Sequence, residues 1–412
     1  MDRRAFITRT AASATAAILG AGLSAAEDKA QGTGSPPVIP TDITITKIEA
    51  AVLQGTRPRV VGRNARLGVH GTHARDPIAR LHTDAGVAAW GWCGVKPEDA
   101  RKLVGRKLHE AFDLRTGVKD AFTHLDFPLW DLAGRVLGRP VHALLGDAGG
   151  HPVPVYDGAI YFDDLDPETG RDRGLAKVLE GVRMGLDAGF RAFKAKIGRG
   201  HKWMEKAAGF RRDVEVAQAI REQIGKDGEL MVDANNGYSP DEARELMRQA
   251  GGCDLYWFEE PFPESAEPCL AFRKFLQEGG WRTLVADGEG SNERERELTE
   301  IVRAGGIDVV QFDLRSYKLT KWWRYLRRLE GTKALCAPHN WGSHLSGYYI
   351  AQFGRGCPRF AMAEIDVMNM PAVSAKGYEL RDGAMHVPDT PGFGLEIDPA
   401  ALKSPAWTVD LG

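Results

Sequence analysis

Hydrophobic and polar positions alternate in two different textures along the chain. Residues 41–53 (TDITITKIEAAVL) alternate with period two, which predicts a strand, here one at a sheet edge. PIARLHTDAGVAAWGWCG, 77–94, reads as two strands around a TDAG turn, a hairpin. Residues 97–113 carry helical spacing. AFTHLDFPLWDLAGRVLGRPVHALLG, 121–146, repeats apolar residues at helical spacing up to a Gly break and Pro140. The pattern predicts a small α+β unit over 41–150, with the sheet first and the helices after.

From 151 the texture changes. Short β-rich runs that end in a polar residue alternate with amphipathic helices. The runs end at FKAK (Lys196), LMVDAN (Asp233), LYWFEE (Glu259), TLVADGE (Glu289), VVQFD (Asp313), ALCAPH (His339) and FAMAE (Glu364). Between Asp233 and Glu364 they recur about every 26 residues, the length of one parallel strand, one helix and two short loops. Such a repeat over 151–375 predicts an α/β chain folded as a (β/α) barrel. Residues 376–412 are expected to return to the 41–150 unit. Ordinary helix caps are Ser, Thr, Asn or Asp, so capping explains one or two of these polar ends but not seven in succession. In a barrel the strand ends meet at one mouth, where active sites sit.

Composition narrows the function. Hydrophobic residues make up 43% and charged residues 27%, ordinary for a soluble globular protein. A formal net charge of −2 leaves no basic excess to neutralise phosphates, which argues against nucleic acid as a partner. At the N-terminus, Arg3 and Arg4 precede Phe6, Ile7, an apolar stretch over 11–23 and the small residues Ser24, Ala25 and Ala26. Residues 1–26 thus resemble a twin-arginine export signal, too short to span a bilayer comfortably, and 27–40 reads as a linker. A periplasmic location is expected. Five scattered cysteines show no zinc spacing, and their odd number argues against a complete disulfide framework; Cys253 and Cys336 are expected to be buried inert thiols.

Three carboxylates on neighbouring strand ends, Asp233, Glu259 and Glu289, repel one another unless a cation sits between them. All-oxygen ligation suits Mg²⁺ rather than zinc. Glu260 should point away from Glu259 by alternation, whereas Asp287 shares the side of Glu289 and competes with it. Lys194 and Lys196 fall on one face of their strand. Mutual repulsion and a nearby cation should lower both pKa values and fit one of them as a base. Asp313 beside His339 can fix the imidazole tautomer. The other histidines, His70, His73, His82, His151, His201 and His344, lack such a setting, although His344 is close to His339 in sequence. Together these groups suit abstraction of a proton next to a carboxylate, where a metal stabilises the enediolate oxygens. A second acid/base on the opposite face then either returns the proton or protonates a departing hydroxyl.

The ordered set FKAKIG, VDANNGYS, WFEEP, ADGE, VVQFDLRSYKLT, APHNWGS and AEID resembles the enolase superfamily, in its mandelate racemase branch, over roughly 41–400. The resemblance implies a modified TIM (β/α)7β barrel with an N-terminal α+β capping domain, essential Mg²⁺ and a homo-oligomer. It makes Asp233, Glu259 and Glu289 the metal ligands, Lys196 the base tuned by Lys194, and His339 the second acid/base oriented by Asp313. Glu364 would bond the substrate carboxylate, and Asn235 would sit near metal and substrate. Lys318 falls five residues past Asp313, outside the motif of branches that use a lysine there. The ADGEG strand end mixes two family patterns. The implied activity is dehydration of a small carboxylate, an aldonate or aldarate, to a 2-keto-3-deoxy acid. Racemisation or epimerisation on the same site is the alternative, and a non-catalytic sugar-acid binder the second. TRPRVVGRNARLGVHGTHARDP, 56–77, with five arginines, is expected to be a long loop that selects the substrate.

Overall fold

The structure, a computed structural model, describes residues 38–146 and 152–411. The export signal expected over 1–26, and the linker as far as residue 37, lie outside the described residues. Within the described part of that linker, Ile39 already packs into the core.

Three antiparallel strands open the fold: β1 (Ile45–Val61), β2 (Gly71–Thr83) and β3 (Ala88–Trp92). β1 is not at an edge, because Trp407–Asp410 pairs antiparallel along its free side. Nor is 56–77 a long loop. β1 and β2 run on together as a two-stranded arm, with Thr56 opposite His73, and only 62–70 connects them. The sequence hid the arm because Arg57 occupies a buried position of β1, where alternation calls for an apolar side chain. The helical spacing of 97–113 yields only two four-residue helices, Pro97–Ala100 and Leu108–Ala111. Between them Gly105 turns to φ +84° and donates its N–H to Ile45 O at 2.8 Å, which takes the chain out of the helix. Helix α1 (Asp126–Leu137) then lies on β3. The approach requires Gly91, since a Cβ there would meet the backbone of Phe127 and Pro128 at about 3 Å.

Eight parallel strands follow: β4 (Val153–Ile160), β5 (Ala192–Lys196), β6 (Glu229–Asp233), β7 (Trp257–Glu259), β8 (Leu284–Asp287), β9 (Val309–Val310), β10 (Leu335–Cys336) and β11 (Ala363–Ile365). β11 pairs with β4, while Cys336 of β10 bonds Arg359 O and Ala361 N at 2.7 and 2.8 Å just before β11, so the ladder closes into a ring. Seven helical crossovers link the strands: α2 (Leu175–Asp187), α3 (Lys206–Ile224), α4 (Pro240–Ala250), α5 (Ala266–Glu278), α6 (Glu295–Ala304), α7 (Leu314–Tyr317, continued by Leu319–Tyr325) and α8 (His344–Gly356). This is the (β/α)7β barrel. Its starts and stops are written locally; α4, for example, opens on Ser239 with a reciprocal bond to Glu242 and Pro240 in the first turn. The sequence reading singled out seven of the eight strands and missed β4.

Tyr156, Ala192, Met231, Trp257, Ala286, Val309, Ala337 and Ala361, contributed around the ring, fill the interior below the mouth. After β11 the hairpin formed by Glu379–Arg381 and Ala384–His386 pairs with the start of β4 before the chain reaches β1. All five cysteines are buried thiols. No helix among the described residues is long and apolar enough to cross a membrane.

Candidate active site

The site is built where β5, β6 and β7 end at one level. Lys196 is in register with Asp233, and Asp233 with Glu259. Strand alternation turns Lys194, Lys196, Asp233 and Glu259 inward, and all four are buried. Lys194 Nζ lies 2.6 Å from Glu259 Oε1, 2.9 Å from Glu364 Oε1 and 3.7 Å from Asp233 Oδ2. Lys196 Nζ donates to Asp233 Oδ2 and sits over the Tyr161 ring, 5.4 Å from its centroid. Glu259 Oε2 accepts from Gln311 Nε2 at 2.7 Å and Trp257 Nε1 at 3.1 Å.

These partners set the charges. Burial raises the Asp233 carboxyl, but Lys196 and then Lys194 overcome this and hold it at about 2. Burial pushes Glu259 up to about 7 against the pull of Lys194. For Lys196, burial favours the neutral amine, yet the Asp233 carboxylate outweighs it and leaves the ammonium above its ordinary range. Lys194 is raised likewise, against burial, by Glu259 and Glu364. The expected lowering of both lysine pKa values is therefore absent from the protein's own field. The carboxylates around the pair outweigh the repulsion within it.

On the facing side His339 Nδ1 lies 3.1 Å from Asp313 Oδ2, and Asp313 is held by Ser316 N and Oγ, each at 2.9 Å. His339 Nε2 is 3.3 Å from Glu289 Oε2 and 3.9 Å from Glu364 Oε2. Burial opposes the imidazolium, but Glu289, Glu364 and Asp313 together raise it to about 9. Glu364 Oε2 accepts from Asn340 N at 2.8 Å. A Cβ on residue 158 of β4 would stand 2.1 Å from Glu364 Oε1, so the site needs glycine there. Gly158→Ala is expected to displace the Glu364 carboxylate from Lys194 and lower turnover about tenfold or more, measured as kcat against the unchanged helical content of the fold.

Two acidic positions depart from expectation. Glu260 does not point away from the mouth. It has φ +39°, and its carboxylate accepts from Asn235 Nδ2 and Asn236 Nδ2 at 3.3 and 3.1 Å. Asn235 and Asn236 also have positive φ, 44° and 59°. Strain of this kind gathers at functional sites. Burial, then Glu289, Asp233 and Asp287, push the Glu260 carboxyl well above the ordinary range. β8 ends at Asp287 rather than Glu289. Asp287 Oδ1 accepts from Gly288 N at 2.7 Å, whereas Glu289 Oε2 is sealed from solvent and faces His339 Nε2 at 3.3 Å. As they stand, no three Asp, Glu, His or Cys side chains among the described residues enclose an ion-sized space. Asp233 is drawn to Lys196 and Glu259 to Lys194.

His344 is not in this mouth; it lines a separate cavity of about 250 Å³ with Phe190, Tyr348 and Met385, where burial depresses the ring to about 4. The sequence reading passed over Gln311, Trp257, Tyr161, Trp341 and His70. Gln311 and Trp257 were within reach of it, each standing two residues before a site carboxylate on its strand. The arginines of 56–77 act as clamps. Arg57 binds both oxygens of Asp366 at 2.9 and 3.1 Å and lies over Trp341, and Arg66 bonds Asn235 O and Asn236 O at 2.6 and 2.8 Å. Arg59 pairs with Asp163 at 2.8 Å, and Arg63 bonds Asp166 O and Pro167 O.

Residues 177–401 match the model of the enolase C-terminal domain-like family. The chain belongs to the enolase superfamily. Its mandelate racemase branch is reflected in a mandelate racemase/muconate lactonizing protein from Geobacillus sp. in complex with magnesium and tartrate. That protein superposes with TM-score 0.84 and 32% identity, over 90% of this chain and 98% of the other. A galacturonate dehydratase from Geobacillus sp., solved with D-galacturonate and 5-keto-4-deoxy-D-galacturonate, gives TM-score 0.83 and 33% identity over 90% and 100%. Among curated relatives, D-galactarolactone cycloisomerase of Agrobacterium fabrum is 30% identical over 298 residues, 68% of this chain and 72% of that protein. The superfamily barrel and its cap thus account for the two textures of the sequence.

Proposed function

We propose that the protein is a Mg²⁺-dependent lyase that removes the proton alpha to the carboxylate of a sugar acid and expels the β-hydroxyl as water, forming a 2-keto-3-deoxy acid. The observation that carries this reading is the opposition of two proton-transfer groups across one mouth, Lys196 on one side and His339–Asp313 on the other, with Glu259, Glu289 and Glu364 between them.

The residues fit a divalent cation. Asp233, Glu259, Glu260, Asp287, Glu289 and Glu364 gather around Lys194, Lys196 and His339, Asn235 Oδ1 is buried without a donor, and Glu289 Oε2 has none closer than His339 Nε2 at 3.3 Å. An all-oxygen set of this kind suits Mg²⁺. In this reading Asp233, Glu259 and Glu289 hold it. Glu289 is preferred to Asp287, whose carboxylate is turned onto Gly288 N. When bound, the ion stabilises negative charge that grows on the substrate carboxylate as the proton leaves. Lys196 accepts that proton once Asp233 no longer holds the ammonium alone. Lys194 tunes it. Glu364 hydrogen-bonds a substrate carboxylate oxygen, and Asn235 contacts the substrate beside the metal ligands. His339, an imidazolium at neutral pH, is charged to protonate the departing oxygen, and Asp313 keeps its ring in place.

Similarity to a galacturonate dehydratase and to acid-sugar cycloisomerases supports sugar acids as the substrate class. Arg57 and Arg59 of the arm are already paired with Asp366 and Asp163, and Arg63 and Arg66 of the connection bond backbone carbonyls, which favours acids with one carboxylate over aldarates. The relatives named cycloisomerases favour a second outcome on the same site. If the departing oxygen belongs to a ring of the substrate, the ring opens and no water is lost. The sequence of residues 1–26 supports export of the folded enzyme to the periplasm.

Incubation with aldonic, uronic and aldaric acids and their lactones in the presence of Mg²⁺, with semicarbazide to trap keto acids, tests the proposal. A semicarbazone is expected with at least one acid. No semicarbazone, and no exchange of the α-proton with D₂O, would contradict it.

A further inference from the structure

The mouth is roofed by three rings that no catalytic role has absorbed. His70 ends the 62–70 connection of the arm. Its ring stands edge-on to Tyr161, 4.9 Å between centroids, and to Trp341, 4.8 Å. Tyr161 lies against Lys196 Nζ, and Trp341 follows His339 by two residues. The roof therefore lies against Lys196 through Tyr161 and includes the loop after β10 through Trp341, and of its three rings His70 alone comes from the capping domain.

The His70 ring is fixed in one tautomer. Nδ1 lies 2.8 Å from Gly62 O, and a carbonyl can only accept, so Nδ1 carries the hydrogen. Nε2 is then a bare acceptor. It has no hydrogen-bond partner among the described residues, and it is not one of the side-chain atoms sealed away from solvent. Burial lowers the ring's pKa further, with Lys196 and Arg57 adding to it, so the imidazole is neutral. A neutral acceptor on an aromatic roof suits a hydroxyl and offers nothing to a second carboxylate.

We propose that His70 is a specificity-determining residue whose Nε2 accepts a hydrogen bond from a hydroxyl of the sugar acid distal to the reacting carbons. This rests on the proposed function, because it needs the α-carbon of a sugar acid to lie against Lys196. It places one end of the substrate on the barrel and the other on the capping domain. Both the arm and the barrel must then be in place before the acid is held along its length. Sequence could not disclose this role, since His70 meets Lys196's surroundings only through the docking of the arm.

The test compares kcat/KM for a turned-over acid with that for its single-deoxy analogues, in wild type, His70→Phe and His70→Gln. Phenylalanine keeps a ring against Tyr161 and Trp341 but removes the acceptor, and glutamine restores an acceptor without the ring. Wild type is expected to lose about tenfold on one distal deoxy analogue, the worth of one hydrogen bond. H70F should lose about tenfold on the parent acid and treat parent and analogue alike, while H70Q keeps most of the discrimination. Thermal melting of each variant shows that it is folded. Retention by H70F of the wild-type ratio at every distal position would overturn the role of His70, as would equal loss of the ratio in H70Q and H70F. A wild-type protein inert toward every acid would instead overturn the proposed function, and this inference with it.

Discussion

Lys196→Ala is expected to slow exchange of the substrate α-proton by about 10²–10⁴-fold, the range that a positioned acid–base group supplies. The residue is 3% exposed, its side chain ends on Asp233 and lies over Tyr161, so no other base reaches its place. Lys194 cannot substitute, because its Nζ is committed to Glu259 and Glu364 at 2.6 and 2.9 Å. Lys196→Arg should not restore the rate, since a guanidinium does not release its proton near neutrality. Asp233 retains Lys194 at 3.7 Å, so the alanine variant should still fold. Deuterium uptake at the α-carbon, followed by proton NMR in D₂O, checks the effect apart from the later loss of water. Uptake at the wild-type rate would remove Lys196 from the chemistry.

Arg199→Met is expected to destabilise the fold by about 3–5 kcal/mol, the usual cost of breaking a buried ion pair from one side. Arg199 is fully buried three residues after Lys196. It pairs with Asp164 and Asp213, each at 2.7 Å, and stacks over Phe162, 4.2 Å from the ring centroid. Asp213 further accepts from Gly198 N at 2.8 Å and from Tyr238 Oη at 2.7 Å. One guanidinium thus ties the turn after β5 to the segment after β4 and to α3. Methionine fills the volume and leaves two buried carboxylates; Asp164 keeps only Arg212, at 3.1 Å. The urea midpoint should fall with little change in slope. An unchanged midpoint would show that the pairs contribute nothing net.

What the sequence disclosed, and what it withheld, follows from the range of each interaction. The strands that carry Lys196, Asp233, Glu259 and Glu364, and those that end three residues before Asp313 and His339, were legible because buried parallel strands read as apolar runs and the helices between them have a fixed length. The Lys194–Lys196 pair was legible because alternation is local. β4 was not, because Pro154, Asp157 and Gly158 interrupt its apolar run, and Gly158 is there for the sake of Glu364, which arrives some 200 residues later in the chain. Glu260 was assigned to the wrong side because period two assumes extended backbone, and its φ is +39°. The arm was mistaken for a loop because its inner positions are arginines whose charges are answered by distant Asp366 and Asp163. His70 carried no local signal.

In the proposed function Asp233, Glu259 and Glu289 hold one divalent cation beside Lys196. Calorimetric titration with Mg²⁺ of the wild-type protein and of Glu259→Gln, Glu289→Gln and Asp287→Asn tests it most directly. One ion per chain is expected in the wild type and in Asp287→Asn, and loss of binding in the two glutamine variants. Absence of Mg²⁺ binding in the wild type, or binding undiminished in both glutamine variants, would contradict it.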